Sequence, residues 1–353
     1  TCALPISNQT LLVNHFEIEA EKIILATGST PIIPDAWQSM RDLILTTDEL
    51  FEQTDLPQNL AIIGLGAIGL ELGQALKRLG LNVVGFDQAN TIGGIQDPNI
   101  LEKSIELIGK ELPLYLGKPV TLEKIGSQIQ VSNGEQSVLV DKVIASLGRR
   151  PNLDQLGLEN LSIEKSARGV PLFNPNTMQI GDLPIFIAGD VNAERTIMHE
   201  AADEGRIAAT NALTGQKLAF KRKTPLYITF TDPNIIQVGE TYTALNKKEN
   251  IVMAETDFAH QTRSRVIGKP YGILRLYAEY DTGKLLGAAM IGPKGEDLAH
   301  LLAWAIEQEC TIFEMLKMPF YHPVVEEGVQ NALYAILPLL KQPDDILLEL
   351  KSL

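Results

Sequence analysis

His322 is followed by Pro323 and, five positions on, by Glu327, in the run Phe320-Tyr321-His322-Pro323-Val324-Val325-Glu326-Glu327. An imidazole can take and give protons near neutral pH, and a carboxylate bonded to one ring nitrogen fixes the tautomer and raises the basicity of the other. Glu326 and Glu327 are both close enough in sequence to be that carboxylate. Pro323 suits a first helical position, which would leave His322 near an N-cap and exposed. On local sequence alone the plainer reading, a capping or packed histidine, is preferred. His15, His199, His260 and His300 show no metal-ligand spacing, so no metal centre is expected.

A second set is Gly64-Leu65-Gly66-Ala67-Ile68-Gly69, with Asp87 further on. Three glycines at this spacing can make a tight turn, admit a phosphate close to the backbone and let a helix pack on a strand. The helix N-terminus then offers N–H groups and a positive dipole end to a pyrophosphate, and Asp87 stands where a carboxylate would accept ribose hydroxyls. That carboxylate would repel a 2′-phosphate, and Gln88, Ala89 and Asn90 supply no base to bind one. NAD is therefore expected rather than NADP. A third candidate, Gly189-Asp190, follows the apolar run 184–188, where open α/β sheets bind ligands; locally, Asp190 could equally cap a turn.

These residues need elements to hold them. Apolar runs at 60–63 and 83–86 read as buried strands flanking a helix that Gly80 stops, which makes a βαβ unit. Upstream, 10–18 alternates as a strand or hairpin, and 22–25 is a short strand with an abrupt exit at Gly28 and Pro31. Loop-like sequence follows, with a short helix at 48–51. Downstream, 98–110 reads as a helix and 113–140 as short strands with turns at Gly117, Gly126 and Asn133-Gly134. A strand at 142–146 leads to a boundary near Pro151, and a helix spans about 197–213. From Thr224 onward, strands at 226–230, 235–238, 251–258, 272–277 and 285–291 precede or flank helices at 296–309 and 324–337. That grouping predicts an α+β domain with an antiparallel sheet.

The 353 residues suffice for two or three domains, and 45% hydrophobic with 21% charged residues is an ordinary globular composition. A net charge of −14 argues against nucleic acid or an anionic membrane as the main partner. No apolar run reaches membrane-span length, and no secretory signal stands at the start. Two cysteines, Cys2 and Cys310, exclude a disulfide scaffold and fit a cytoplasmic setting. Cys310 reads as a packed small residue. With no initiator methionine ahead of Cys2, the chain reads as a fragment.

With these landmarks placed, the chain from about Glu21 onward resembles the class I pyridine nucleotide–disulfide oxidoreductases, most closely their dihydrolipoamide-oxidising branch. Ala26-Thr27-Gly28-Ser29-Thr30-Pro31 is similar to the family's exit from its first FAD segment, and Gly64–Gly73 to its G-x-G-x-x-G-x-E-x-G. The latter implies that Glu71 lies near the nicotinamide. Gly148-Arg149-Arg150-Pro151-Asn152 is similar to the strand end beside the NAD site. Gly189-Asp190 is similar to the pair that binds the flavin ribityl chain, and Thr196-Ile197-Met198-His199 to the segment whose backbone approaches the flavin. Thr231-Asp232-Pro233 and Val238-Gly239 are similar to the opening of the interface domain. His322-Pro323 with Glu327 is similar to the catalytic His–Glu pair.

The resemblance implies an α/β fold in which a Rossmann-like NAD domain is inserted between pieces of an incomplete FAD domain. A C-terminal α+β dimerisation domain with an antiparallel sheet follows. The implied segments are 1–56 and 151–222 for FAD, 57–150 for NAD and 223–353 for the interface. It makes Asp190, with Thr27, Gly28, Ser29, Ile197, Met198 and His199, candidate FAD ligands. Gly64, Gly66, Gly69, Glu71, Asp87 and Gly148 are the NAD candidates, and His322 with Glu327 the catalytic pair. It further implies a homodimer, a dithiol substrate and lipoyl domains of an acyl-transferase complex as partners. The family's own first glycine fingerprint and its Cys-x4-Cys disulfide do not occur in these 353 residues, so the chain by itself is expected to lack the complete electron path.

Overall fold

The computed structural model describes residues 3–5, 7–154 and 156–341, so Cys2 lies outside the described residues. The chain divides into two compact units, one of Thr1–Ile32 with Gly148–Arg222 and one of Ile33–Leu147 with Lys223–Leu353.

The second unit is organised by two five-stranded sheets. The first is parallel, ordered Ile44–Thr46, Lys142–Ala145, Asn59–Ile63, Asn82–Phe86 and Leu114–Tyr115. After Asn59, strand Asn59–Ile63 is wholly apolar and buried, with both its faces covered. Leu60 and Ile62 enter a core with Leu70, Ile100 and Leu112, while Ala61 and Ile63 enter one with Trp37, Phe86 and Val143. Each such buried aliphatic side chain contributes roughly 1.5–3 kcal/mol. Residues Asp35–Leu43, loop-like in sequence, form a 3₁₀ segment that buries Trp37, Met40 and Leu43. Three apolar residues suffice to hold it against the sheet although its sequence has no long helical period. A three-stranded antiparallel sheet, Thr121–Ile125, Gln128–Ser132 and Ser137–Val140, turns at Gly126 and at Asn133-Gly134.

The second sheet is antiparallel, ordered Leu226–Thr229, Asn234–Gly239, Leu285–Gly292, Ile273–Glu279 and Ile251–Asp257. Its period of two again feeds two cores. Ile235, Tyr277, Ala289 and Ile291 join the core of Leu60 and Ile100, whereas Ile236, Val238, Leu276 and Met290 pack with helices Gly295–Glu307 and Glu327–Ile336. Asp97 ties helix Pro98–Gly109 to the antiparallel sheet. Its carboxylate caps helix Pro98–Gly109 through the Asn99 and Ile100 amides, pairs with Arg275 at 2.7 Å and accepts the Tyr277 hydroxyl at 2.6 Å. Burial, then the bond to Asp97, pushes the Tyr277 phenol far above its ordinary value.

In the first unit, Ile23–Leu25 pairs in parallel with Ile185–Ile187, and Ser29–Pro31 pairs antiparallel with Arg149–Pro151. The hairpin Thr10–Val13 and Phe16–Glu19 turns on Asn14 and His15, both at positive φ. Helix Met198–Thr214 follows the central strand pair, and Ile23, Leu25, Ile185, Ile187 and Val191 form the core. Among the described residues no helix is long and apolar enough to cross a membrane.

Candidate functional site

The glycine turn occupies the carboxyl end of strand Asn59–Ile63 and opens helix Ala67–Arg78, with Gly66 as its N-cap. Gly64 has φ +95°, and a Cβ there would meet the Ser146 carbonyl at 2.2 Å. A Cβ on Gly69 would lie 1.9 Å from the Gly64 carbonyl oxygen, which is the close helix–strand approach that glycine permits. Gly66 is different, since nothing lies within 4 Å of where a Cβ would stand and the residue is exposed. The cradle above the helix N-terminus is therefore open. Asp87 turns back on this loop, with Oδ2 accepting the Leu65 N–H at 2.7 Å and Oδ1 the Ala89 N–H at 2.8 Å. A carboxylate has about four acceptor positions, so two remain for further donors.

Glu71 lies one turn into the same helix, half-buried, and its Oε1 accepts the Phe230 N–H at 2.8 Å. Three residues on, Gln74 bonds both the N–H and the carbonyl of Asp232. Spacing of i and i+3 puts both side chains on one helix face, so the helix grips the 230–232 backbone with two side chains. Gly148 falls in the other unit, at φ +91°, with its carbonyl accepting the Ile32 N–H.

In the first unit Thr27 and Gly28, leading into Ser29 at the start of strand Ser29–Pro31, form a loop clamped by Asn152. The Thr27 hydroxyl donates to the Asn152 carbonyl, the Asn152 side-chain amide donates to the Thr27 carbonyl, and the Asn152 N–H donates to the Gly28 carbonyl, at 2.7, 2.9 and 2.9 Å. Asp190 joins this loop, its Oδ2 accepting the Ser29 hydroxyl at 2.7 Å, while Arg149 Nε donates to the same Ser29 oxygen at 2.8 Å. Ile197 begins helix Met198–Thr214 with no side-chain cap, leaving Met198 and His199 exposed in its first turn. Four of the seven residues expected at a flavin thus meet at one place: Thr27, Gly28, Ser29 and Asp190.

His322 and Glu327 are brought together at 2.8 Å between Nδ1 and Oε1. The helix begins at Glu327, not near Pro323, so His322 is not at an N-cap. The local reason is that Glu327 reaches back with Oε2 to take the Val324 N–H at 3.0 Å, which holds 322–326 as a turn ahead of the helix. Between the two expected partners, the bond goes to Glu327; Glu326 is the N-cap residue and makes no side-chain cap. Burial pushes the Glu327 carboxyl up, but hydrogen bonds from His322 and the Val324 amide, with charge on His322, outweigh it and hold it below the ordinary glutamate value. The imidazole side chain is 67% exposed, so Nε2 is open to a substrate.

Sequence reasoning missed what braces this pair. Gln261, buried, donates from Nε2 to the Val324 carbonyl at 2.6 Å, and Gly328 packs so tightly on Phe258 that a Cβ would meet its ring at 2.3 Å. Neither Gln261 nor Phe258 stands near His322 in the chain, and a lone Gln carries no signature. Asn152 was legible only as part of a motif. Among the described residues no group of three or more His, Cys, Asp or Glu could hold a metal ion.

Comparison with known proteins agrees with this layout. Residues 5–205 match the pyridine nucleotide-disulphide oxidoreductase family, and 226–333 match the pyridine nucleotide-disulphide oxidoreductase dimerisation domain. A mercuric reductase of Staphylococcus aureus is 29% identical over 335 residues, covering 93% of this chain and 61% of its own length. A dihydrolipoyl dehydrogenase of Thermus scotoductus is also 29% identical over 335 residues, covering 92% and 72%. Among solved structures, the HOCl-induced flavoprotein disulfide reductase RclA from Escherichia coli superposes with a TM-score of 0.85 at 22% identity, covering 95% of this chain and 78% of that one, which shows the fold. The chain belongs to the pyridine nucleotide–disulfide oxidoreductase family, flavin-dependent enzymes that use FAD and NAD(P).

Proposed function

We propose that the whole protein is a dihydrolipoyl dehydrogenase, oxidising a dihydrolipoamide-type dithiol and reducing NAD. The observation that carries this reading is the 2.8 Å pair of His322 Nδ1 and Glu327 Oε1 beside an exposed ring. Glu327 holds the Nδ1–H tautomer, so Nε2 is the base that takes a thiol proton. The thiolate so formed, unlike the thiol, attacks a disulfide sulfur. When bound, FAD supplies two-electron transfer between dithiol and nicotinamide.

The residues present fit both groups. The exposed Gly66 at the helix N-terminus would receive a pyrophosphate, and the Asp87 carboxylate beside the same turn would hold its ribose. Gly64, Gly69 and Glu71 shape that site, and Gly148 is assigned to it on the family motif. Asp190 with Ser29 would hold the ribityl hydroxyls, and the uncapped helix start at Ile197, Met198 and His199 would meet the flavin ring. By sequence segment we assign 1–56 and 151–222 to the FAD domain, 57–150 to the NAD domain and 223–353 to the interface domain, with residues 33–56 packing in the compact unit of the NAD segment, where strand Ile44–Thr46 extends the parallel sheet.

A homodimer is supported by the dimerisation-domain match and by an apolar hollow of about 510 Å³, walled by Leu301, exposed Trp304, Met318, Phe320 and exposed Tyr321. Lipoyl domains of an acyl-transferase complex are the partners this reading implies, in a cytoplasmic setting. A second thiol-linked activity, mercuric reduction, draws on a relative of equal identity. A third reading, for these 353 residues by themselves, is a nucleotide-binding, dimerising module without turnover, since they contain no Cys-x4-Cys. Flavin absorbance with dihydrolipoamide-dependent NADH formation by the purified protein supports the enzyme; NADH binding with neither supports the module.

A further inference from the structure

Glu204 is fully buried, and its carboxylate does not belong to any of the sites above. Oε2 accepts the Gly189 N–H at 2.8 Å and the Asn192 side-chain amide at 2.6 Å. Oε1 accepts Arg222 at 2.6 Å. Arg222 also donates to Glu200 at 3.0 Å, and Glu200 accepts Arg195 at 2.6 Å. Two arginines and two glutamates thus alternate from Arg195 to Glu204, at side-chain exposures of 23, 7, 14 and 0%.

Stability does not account for four charges there. Desolvating two ion pairs costs about as much as their attraction returns, and apolar side chains of equal volume would pack helix Met198–Thr214 on its neighbours as well. What no apolar side chain could supply is an acceptor aimed at the turn Gly189–Asn192. Gly189 sits at φ +78° and ψ −161°, a conformation open to glycine, so the peptide carrying Asp190 has few steric restraints of its own. The Glu204 carboxylate fixes both ends of that turn: the Gly189 N–H just before Asp190 and the Asn192 side chain two residues after it.

We propose that Glu204 is the positioning residue of the flavin turn. It sets the direction of the Asp190 carboxylate, with Arg222 supplying the countercharge inside the fold. The inference rests on the reading of Asp190 as a flavin ligand, and the two can fail separately.

The test is a titration of the full-length protein with FAD, followed by flavin fluorescence and by the circular dichroism that the bound flavin acquires in the visible. Glu204→Gln, Glu204→Asp and Asp190→Asn are compared with wild type. Glu204→Gln and Asp190→Asn are each expected to weaken FAD by roughly tenfold or more, the loss of a buried hydrogen bond to a charged group. Glu204→Asp keeps the charge and recovers part of that affinity. The dichroism of the flavin still bound by Glu204→Gln changes, whereas NADH affinity stays within about twofold. If Asp190→Asn weakens FAD while Glu204→Gln matches wild type, the positioning role is wrong and the flavin turn stands. Weakened affinity with an unchanged dichroic spectrum reduces Glu204 to a structural role and also overturns the proposal. Wild-type affinity in both variants, or no FAD binding by wild type, removes the flavin reading and the inference with it. Should Glu204→Gln not fold, Glu204→Asp decides: lower affinity with altered dichroism supports the role, and wild-type values overturn it.

Discussion

The carbonyl oxygen of Gly64 lies 1.9 Å from where a Cβ on Gly69 would sit, so the turn and the first helical turn behind it are in backbone contact. Gly66, between them, would give a Cβ open space. Gly69→Ala should therefore displace backbone and lower the thermal midpoint by several degrees, with NADH affinity falling in parallel. Gly66→Ala has φ −66° to accept a side chain without strain, so it should leave the midpoint within about 1 °C. Its methyl fills the cradle, and NADH should bind about tenfold more weakly. Differential scanning fluorimetry with an NADH titration separates the two; equal effects on stability would contradict the assigned division of labour.

Asp87 both shapes the turn, through the Leu65 N–H, and is positioned for a ribose. Asp87→Ser removes the charge that excludes a 2′-phosphate. NADH affinity should fall about tenfold, and the preference for NADH over NADPH should narrow by a comparable factor. Fluorescence titrations with both nucleotides check this, and an unchanged preference would remove Asp87 from the selectivity argument.

Glu327 is held below the ordinary glutamate value of 4.5. A depressed carboxyl contributes stability that is fully present above its unfolded value and is lost as pH falls through the folded one. The gap in thermal midpoint between wild type and Glu327→Gln should thus be widest above about pH 5 and close progressively below 4.5. A gap independent of pH between about 3 and 7 would mean that the carboxylate is not what Glu327 contributes.

Asp97 is 1% exposed and neutralises Arg275 while capping helix Pro98–Gly109. Asp97→Ala leaves the largely buried Arg275 guanidinium with only Glu255, at 3.7 Å, and should cost about 3 kcal/mol or more. Tyr277→Phe removes one hydrogen bond to the same carboxylate and should cost about 1.5–3 kcal/mol. Urea unfolding measures both, and a loss for Asp97→Ala no larger than that for Tyr277→Phe would show that Arg275 finds another counterion.

How much of this was legible beforehand depended on the range of the interaction. The nucleotide βαβ unit is written in contiguous sequence, because glycine spacing, apolar runs and a terminal acid are local requirements, and the structure returns strands Asn59–Ile63 and Asn82–Phe86 around helix Ala67–Arg78. The antiparallel sheet after Thr224 was legible for the same reason. For the His322–Glu327 pairing, spacing admitted Glu326 and Glu327 alike and only the family motif singled out Glu327; in the structure Glu327 bonds both His322 and the Val324 amide ahead of the helix start. Contacts between residues far apart along the chain left no trace, even where a motif had singled out one of the two residues. Glu71 reaches Phe230, Gln261 reaches Val324 and Asn152 reaches Thr27, each across 63 residues or more. Asp190 illustrates the reverse case: local sequence left a cap and a ligand even, and its bond to Ser29 places it within the loop clamped by Asn152.

The central claim is that His322, oriented by Glu327, moves the thiol proton. It is tested most directly by comparing two activities of the full-length protein and its His322→Ala variant: dihydrolipoamide-dependent NADH formation, and NADH-driven reduction of an artificial dye. General acid–base catalysis is worth about 10²–10⁴-fold, so dihydrolipoamide turnover should fall by at least about 10²-fold while dye reduction stays within about twofold. Equal losses in both activities, or dihydrolipoamide turnover that survives the substitution, would contradict it.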